Sequence, residues 1–396
     1  MNEKEIDKVM GGLIERGEMP GAELWIHADG KEAYHGIWGY SNLETRNPMA
    51  EDTILCMCSM TKVLTVVGFL RLVEQGEIGL DDEVRKFIPA FAAKRVVADE
   101  RFEGMEAFAR YFIQKEPAPL SDVKTAAANR ELTVRDLLTH SSGLEMGTFC
   151  LLSRLRMQGR EETLRTRVEK LARMPLDFQP GTATGYSPTA SMDTLARLVE
   201  IITGQDFAVY MREEIFDPLE MADMTFHLSE EQKGRRMPLY KMVDGRMVDV
   251  TGSGADIDGL VSGGPNLHSA SGGAFGRMGD YHKVTRMLAQ EGELNGVRIL
   301  KPETVRMLYE EHAYRHLEPE PGMEWGLGVK VRQDPERAQS YAVKGTYGWS
   351  GAYGTHMFVC PDKKLAVTFG TNREDLGGSE SYISREVERL VFGIWG

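Results

Sequence analysis

In "TILCMCSMTKVLTVVGFLRLVEQG", residues 53–76, Ser59 and Lys62 stand three positions apart at the head of an apolar periodic run. Positions i and i+3 of a helix share a face, so this spacing brings the amine within reach of the hydroxyl. Unpaired N–H groups at a helix N-terminus favour a developing alkoxide or oxyanion. At its ordinary pKa of about 10.4 a lysine is neutral to roughly one part in 2,500 at pH 7. Burial beside Met57, Met60 and Val63 that lowered this pKa by about 3 would leave roughly a quarter of it neutral, enough for a base that activates a serine. The alternative is that Ser59 caps the helix and Lys62 snorkels into solvent. A second S-x-x-K, Ser121–Lys124 in "PLSDVKTAAANR", has no apolar run behind it, and both its side chains are expected in water.

Two further segments bear on the choice. In "FQPGTATGYSPTASMDTLARLVEIITG", Tyr186 follows a Gly-rich turn and precedes a helical pattern, where a phenol can project into a cleft and share a proton with a nearby lysine. A tyrosine packed at a loop–helix junction is the plainer reading. In "GTYGWSGAYGTHMFVCPDKKLAVTFG", Trp349-Ser350-Gly351-Ala352 precede a strand, and small residues there let a substrate approach backbone N–H groups. A Gly-rich start to an edge strand would look the same.

Other constellations fail. No serine sits in G-x-S-x-G, since "GWSGA" ends in Ala352. His312 and His316 in "HAYRH" lack the glutamate of a zinc peptidase helix and read as a solvated face. His140 in "THSSGL" reads as a structural turn residue, and Cys56 and Cys58 as small core residues rather than zinc ligands. No phosphate loop or dinucleotide fingerprint is present.

The elements that must position these residues are legible in outline. A helix is expected on Ile6, Val9, Met10, Leu13 and Ile14, then a hairpin of "AELWIHA" and "EAYHGIWGY" across Asp29-Gly30. Helical periodicity marks "LTVRDLLTH", "REETLRTRVEKLARM", "MDTLARLVEIITG" and "FAVYMREEIF". The Gly/Ser-rich run over 251–276 reads as a functional loop. Strands return in "WGLGVKV", "GTHMFVCP" and "KLAVTFGTN", followed by a closing helix, "YISREVERLVFGIW". The expected fold is thus α/β plus all-α. Residues 1–75 and 295–396 form a mixed domain around an antiparallel sheet, residues 76–294 form an inserted helical domain, and the site lies between them.

The 396 residues are 42% hydrophobic and 27% charged, ordinary for a globular chain. A net charge of −13 argues against nucleic acid and anionic membranes as partners. No apolar stretch is long enough for a membrane span, and the acidic N-terminus does not read as a signal peptide, so a cytoplasmic location with reduced cysteines is expected.

The order of Ser-x-x-Lys near residue 60, "LLTHSSGL", "PG…GYS" and a late small-residue strand start resembles the serine β-lactamase and penicillin-binding-protein superfamily. Within it the class C-like branch and the family VIII carboxylesterases are most similar. The resemblance implies Ser59 as nucleophile, Lys62 as its helix partner and Tyr186 as the tyrosine of Tyr-x-Asn/Ser. It also implies an oxyanion hole from the Ser59 and Ala352 N–H groups, with Trp349, Ser350 and Gly351 at the Lys-Thr-Gly place touching substrate. Pro188 stands where class C enzymes have Asn, and Trp349 where they have the lysine that holds a lactam carboxylate. Losing that lysine forfeits a charge-assisted contact worth about 1.5–3 kcal/mol. The implied activity is therefore ester hydrolysis through an acyl-enzyme. A β-lactamase, a D-amino-acid amidase or peptidase, an acyltransferase and a catalytically silent binding protein are the alternatives. The expected partner is a small-molecule ester or amide, and the chemistry calls for no metal or organic cofactor.

Overall fold

The computed structural model describes residues 2–156, 162–253, 266–310 and 317–396. Its centre is an eight-stranded antiparallel sheet of β1 (Gly21–Ala28), β2 (Lys31–Asn42), β3 (Asn47–Pro48), β4 (Met323–Trp325), β5 (Lys330–Arg332), β6 (Tyr347–Ser350), β7 (His356–Cys360) and β8 (Leu365–Gly370). The spatial order is β4-β5-β6-β7-β8-β1-β2-β3, so strands from the two ends of the chain meet where β8 pairs with β1. The expected mixed architecture is the one observed. Asp29 and Gly30 both adopt the left-handed backbone that a tight hairpin requires.

Helices cover both faces. Ile6, Met10 and Leu13 of α1 (Glu3–Glu15) join Ile383, Val387, Leu390 and Val391 of a C-terminal helix (Tyr382–Trp395) against Leu24, Ile26, Val367 and Phe369 of the sheet. On the other face lie α2 (Thr61–Glu74), α3 (Ala190–Thr203) and α4 (Met278–Ala289), the last packed directly on β8 and β1. Every residue of β8 is buried, as expected for a strand covered on both sides. Gly204 ends α3 in the left-handed conformation that glycine adopts without steric cost.

The helix α2 is unusual in being buried from Thr61 through Leu70 without a break. A helix with no solvent face belongs to the interior, and a charged residue on it has no route to water. This decides against a snorkelling Lys62. Ser121 and Lys124, by contrast, are both exposed, as expected.

"WGLGVKV" departs from its expected single strand. Gly326 N–H donates to Val329 O (2.9 Å) and the chain reverses, so Trp325 and Lys330 become cross-strand partners of a hairpin. The short strand pairs Arg95–Val97 with Thr125–Ala127 and Tyr240–Val243 with Arg246–Asp249 were not anticipated. Residues 254–265 of the Gly/Ser-rich run, and His312 and His316, lie outside the described residues. Among the described residues no helix is long and apolar enough to cross a membrane.

Candidate active site

Ser59 lies in a 3₁₀ turn, Cys58–Met60, immediately before α2. The turn is pinned from three sides. Met57 N–H donates to Ala274 O (2.9 Å), the Tyr281 hydroxyl of α4 donates to Met60 O (2.9 Å), and the Thr355 hydroxyl donates to Met57 O (3.2 Å). Cys58, directly before Ser59, has φ +46°, a conformation that costs a side-chain-bearing residue and persists only where its surroundings enforce it. Neither helix-start position here carries a side-chain cap, so Ser59 does not serve as one. Its Oγ is left for other partners.

Those partners are Lys62 and Tyr186. The Tyr186 hydroxyl donates to Ser59 Oγ at 2.6 Å, and Lys62 Nζ lies 3.3 Å from the same oxygen. Lys62 is fully buried and also donates to the carbonyls of Pro188 (2.8 Å) and Ser271 (2.7 Å). These two carbonyls fix the amine. With two N–H groups committed to them, the remaining tetrahedral position of Nζ faces Ser59, and in the neutral amine that position is a lone pair. Lys62 and Tyr186 share no hydrogen bond; Nζ sits 5.0 Å from the phenol ring centroid, and the two meet only on Ser59 Oγ.

The carbonyl of Ser271 is itself held. Ser271 Oγ donates to Thr189 O (2.6 Å) and Asp193 Oδ1 (3.1 Å), while Asp193 Oδ2 accepts from buried Arg167 (3.1 Å), which also pairs with Glu162. Lys170 pairs with Glu162 as well (2.7 Å), so two acids meet two bases, and this largely buried network keeps the lysine's acceptors from drifting.

The late motif divides. Trp349 faces the site, its ring 5.1 Å from that of Tyr186 and 4.8 Å from that of Trp325. Ser350, next in the strand, points to the opposite face, where its Oγ bonds His356 Nδ1 at 2.7 Å beneath the C-terminal helix. The structure therefore does not bring the Ser350 hydroxyl to Ser59. Gly351 lies hard against the nucleophile turn. A Cβ there would come within 2.5 Å of Met57 O and would also strike Thr355. Only glycine allows this approach of the strand end to the turn that carries Ser59. Gly351 N–H is engaged by Thr355 O (2.8 Å). The Ser59 and Ala352 N–H groups have no acceptor among the described residues.

Three residues at the site carried no sequence signal strong enough to single them out for it. Trp325 stacks at 6.2 Å on Tyr186 and 4.3 Å from His140. Lys330 is buried, salt-bridged to Glu320 at 2.9 Å, with its Nζ 5.8 and 5.4 Å from the rings of Trp325 and Trp349. His140 accepts Ser187 N–H on Nδ1 (3.2 Å), which places its own proton on Nε2, a buried atom with no partner among the described residues. Trp349 Nε1 is likewise buried and unpartnered. Buried donors without acceptors are costly, and here two of them border the Tyr186 ring.

Burial, above all, pushes His140 down to about 3. Burial and Arg286 push His27 down to about 4, and burial sends His282 lower still than its ordinary value. In the unfolded chain all three protonate near pH 6.5, so below that pH the unfolded state binds more protons and stability falls as pH drops. At pH 5 the cost is about 2 kcal/mol for His140 alone. Urea midpoints are therefore expected to be clearly lower at pH 5 than at pH 7.5; equal midpoints would contradict the neutral buried imidazoles.

A serine hydroxyl held between a buried lysine and a tyrosine, on an antiparallel sheet faced by helices, defines a serine hydrolase of the acyl-transfer kind. The chain belongs to the Beta-lactamase family, whose model matches residues 6–390. It is 28% identical over 375 residues to lovastatin esterase of Penicillium rubens, covering 87% of this chain and 85% of that one. It is 28% identical over 394 residues to esterase EstB of Burkholderia gladioli, covering 93% and 89%. Among solved structures, EstCE1, described as a hydrolase with promiscuous acyltransferase activity, superposes with a TM-score of 0.79 over 98% of both chains at 21% identity.

Proposed function

We propose that this protein cleaves carboxylic esters through an acyl-enzyme on Ser59. The observation that carries the reading is the convergence of Tyr186 Oη and Lys62 Nζ on Ser59 Oγ, at 2.6 and 3.3 Å. Ser59 Oγ attacks the ester carbonyl as its proton passes to Lys62, whose lone pair is aimed by the Pro188 and Ser271 carbonyls. The Ser59 and Ala352 N–H groups receive the oxyanion. Tyr186 gives its proton to the leaving alcohol and, as tyrosinate, takes one from the incoming water that attacks the acyl group, while Lys62 returns the serine proton to Ser59 Oγ as the acid leaves. The reading places the site between a mixed domain of residues 1–75 and 295–396 and a helical domain of residues 76–294. Four buried cysteines without a disulfide suit a cytoplasmic location.

Esters are favoured over lactams because Trp349 and Trp325 wall the place where a carboxylate-holding lysine would stand. The esterases among the relatives support the same choice. The test is parallel turnover of 4-nitrophenyl butyrate and nitrocefin by the wild type. The ester is expected to be the better substrate by roughly 10-fold or more in kcat/KM, the value of the missing charge-assisted contact. Strong nitrocefin hydrolysis without ester turnover would reverse the assignment. An acyltransferase is the second reading, favoured by the activity named for EstCE1. It is read in the same assay as butyrate ester formed when an alcohol is added.

A further inference from the structure

A cavity of about 460 Å³, lined by none of Ser59, Lys62, Tyr186 and Trp349, lies at the end of the sheet where β6 and β8 begin. Arg286 of α4, Tyr347 of β6, Arg306, Lys364, Asp29 and Glu291 line it. Arg286 makes no hydrogen bond and no ion pair with any described residue, and its Nε is shielded from solvent. Burial lowers its pKa, against the weak opposing field of Glu32. The Tyr347 hydroxyl is also buried and without a partner, although its ring is stacked on Tyr309 at 4.8 Å. Arg306 spends one N–H on the Pro302 carbonyl (3.3 Å), and Lys364 sits a loose 3.8 Å from Asp29.

An arginine is rarely half-buried without a carboxylate, because its five N–H donors form a planar fork suited to two oxygens at once. In a chain of net charge −13 with many acids to choose from, leaving this fork empty is a cost that a ligand would remove. We propose that this cavity is a binding site for a small oxyanion-bearing molecule, a phosphate monoester or a carboxylate. The Arg286 guanidinium grips the anion, the Tyr347 hydroxyl donates to it, and Arg306 and Lys364 supply surrounding positive charge. Asp29 and Glu291 are the acids facing it, and they favour an anion of low charge over a polyphosphate. The site does not depend on the esterase reading.

The test is isothermal titration calorimetry on the full chain with inorganic phosphate and, separately, succinate. One site is expected for at least one anion, and the arm that binds decides between phosphate and carboxylate. Arg286→Met should weaken it by roughly 10-fold or more, and Tyr347→Phe by about 3-fold. Without ligand, Arg286→Met should raise Tm, since it removes an unpaired half-buried charge. Ser59→Ala should bind as the wild type does, which separates this cavity from the catalytic one. Absence of binding at millimolar anion, affinity unchanged in both variants, or loss of binding in Ser59→Ala would each overturn the proposal. If Arg286→Met does not fold, Tyr347→Phe carries the decision alone.

Discussion

Ser59→Ala is expected to lower kcat/KM for 4-nitrophenyl butyrate by roughly 10³-fold or more while leaving the fold intact. The size follows from what the serine does. It supplies the bond-forming oxygen, and nothing else within reach of the Lys62 amine can replace it. Among the described residues the one side-chain oxygen within hydrogen-bond distance of Lys62 Nζ is Ser59 Oγ; its other partners are backbone carbonyls. Stability should change little, because Ser59 Oγ serves as no helix cap. The Tyr186 hydroxyl loses its acceptor, and Tyr186 is only partly buried, so water can replace it. The measurement is steady-state hydrolysis with a thermal melt alongside. Residual activity near the wild-type rate, with an unchanged melt, would place the nucleophile elsewhere and remove the acyl-enzyme on Ser59.

What made Ser59, Lys62 and Tyr186 readable was that their signals are local. A hydroxyl and an amine three apart, followed by Val63, Val66, Val67 and Leu70, suggest one helix face carrying both groups, and the burial of that helix removes the snorkelling alternative. What fixes the amine is not local. Pro188 and Ser271 are 126 and 209 residues from Lys62, and they act through backbone carbonyls, which every residue possesses. No side-chain pattern advertises them. Trp325 and Lys330 were hidden for another reason. Gly326 and Gly328 turn a run that looks like one strand into a hairpin, with Gly328 at φ +69°, and so bring both residues to Trp349.

Ser350 is different, because the sequence did contain the answer. Adjacent strand residues face opposite ways, so once Trp349 is given to the site, the Ser350 side chain must leave it. Its partner His356, directly across in the neighbouring strand, receives it on the far face. The backbone of Gly351 still comes against Met57 and Cys58, directly before Ser59, which is a role for the main chain. The position of the motif and the position of its side chains are separate questions, and only the first is settled by order along the chain.

The second large effect concerns the proton path. Lys62→Met and Tyr186→Phe should each lower kcat by about 10²–10⁴-fold, the usual worth of a positioned acid or base. The double variant should be scarcely worse than the poorer single one, since both groups act on one oxygen and removing either breaks the same route. Lys62→Arg should not restore activity. A guanidinium is always protonated and cannot accept the Ser59 proton, however well it donates to Pro188 and Ser271. Tyr186→Phe keeps the ring contacts with Trp349, Trp325 and His140, so its loss isolates the hydroxyl from the packing. The measurement is the burst and steady-state phases of nitrophenyl ester turnover. If proton delivery to the leaving alcohol is the tyrosine's task, an activated nitrophenolate, which leaves unaided, should be spared relative to an alkyl ester in Tyr186→Phe but not in Lys62→Met. Equal losses on both esters in both variants would make Tyr186 a partner in activating Ser59 rather than the acid for the leaving group. Effects that multiply in the double variant would mean that lysine and tyrosine serve separate steps, and the single shared route through Ser59 Oγ would have to be given up.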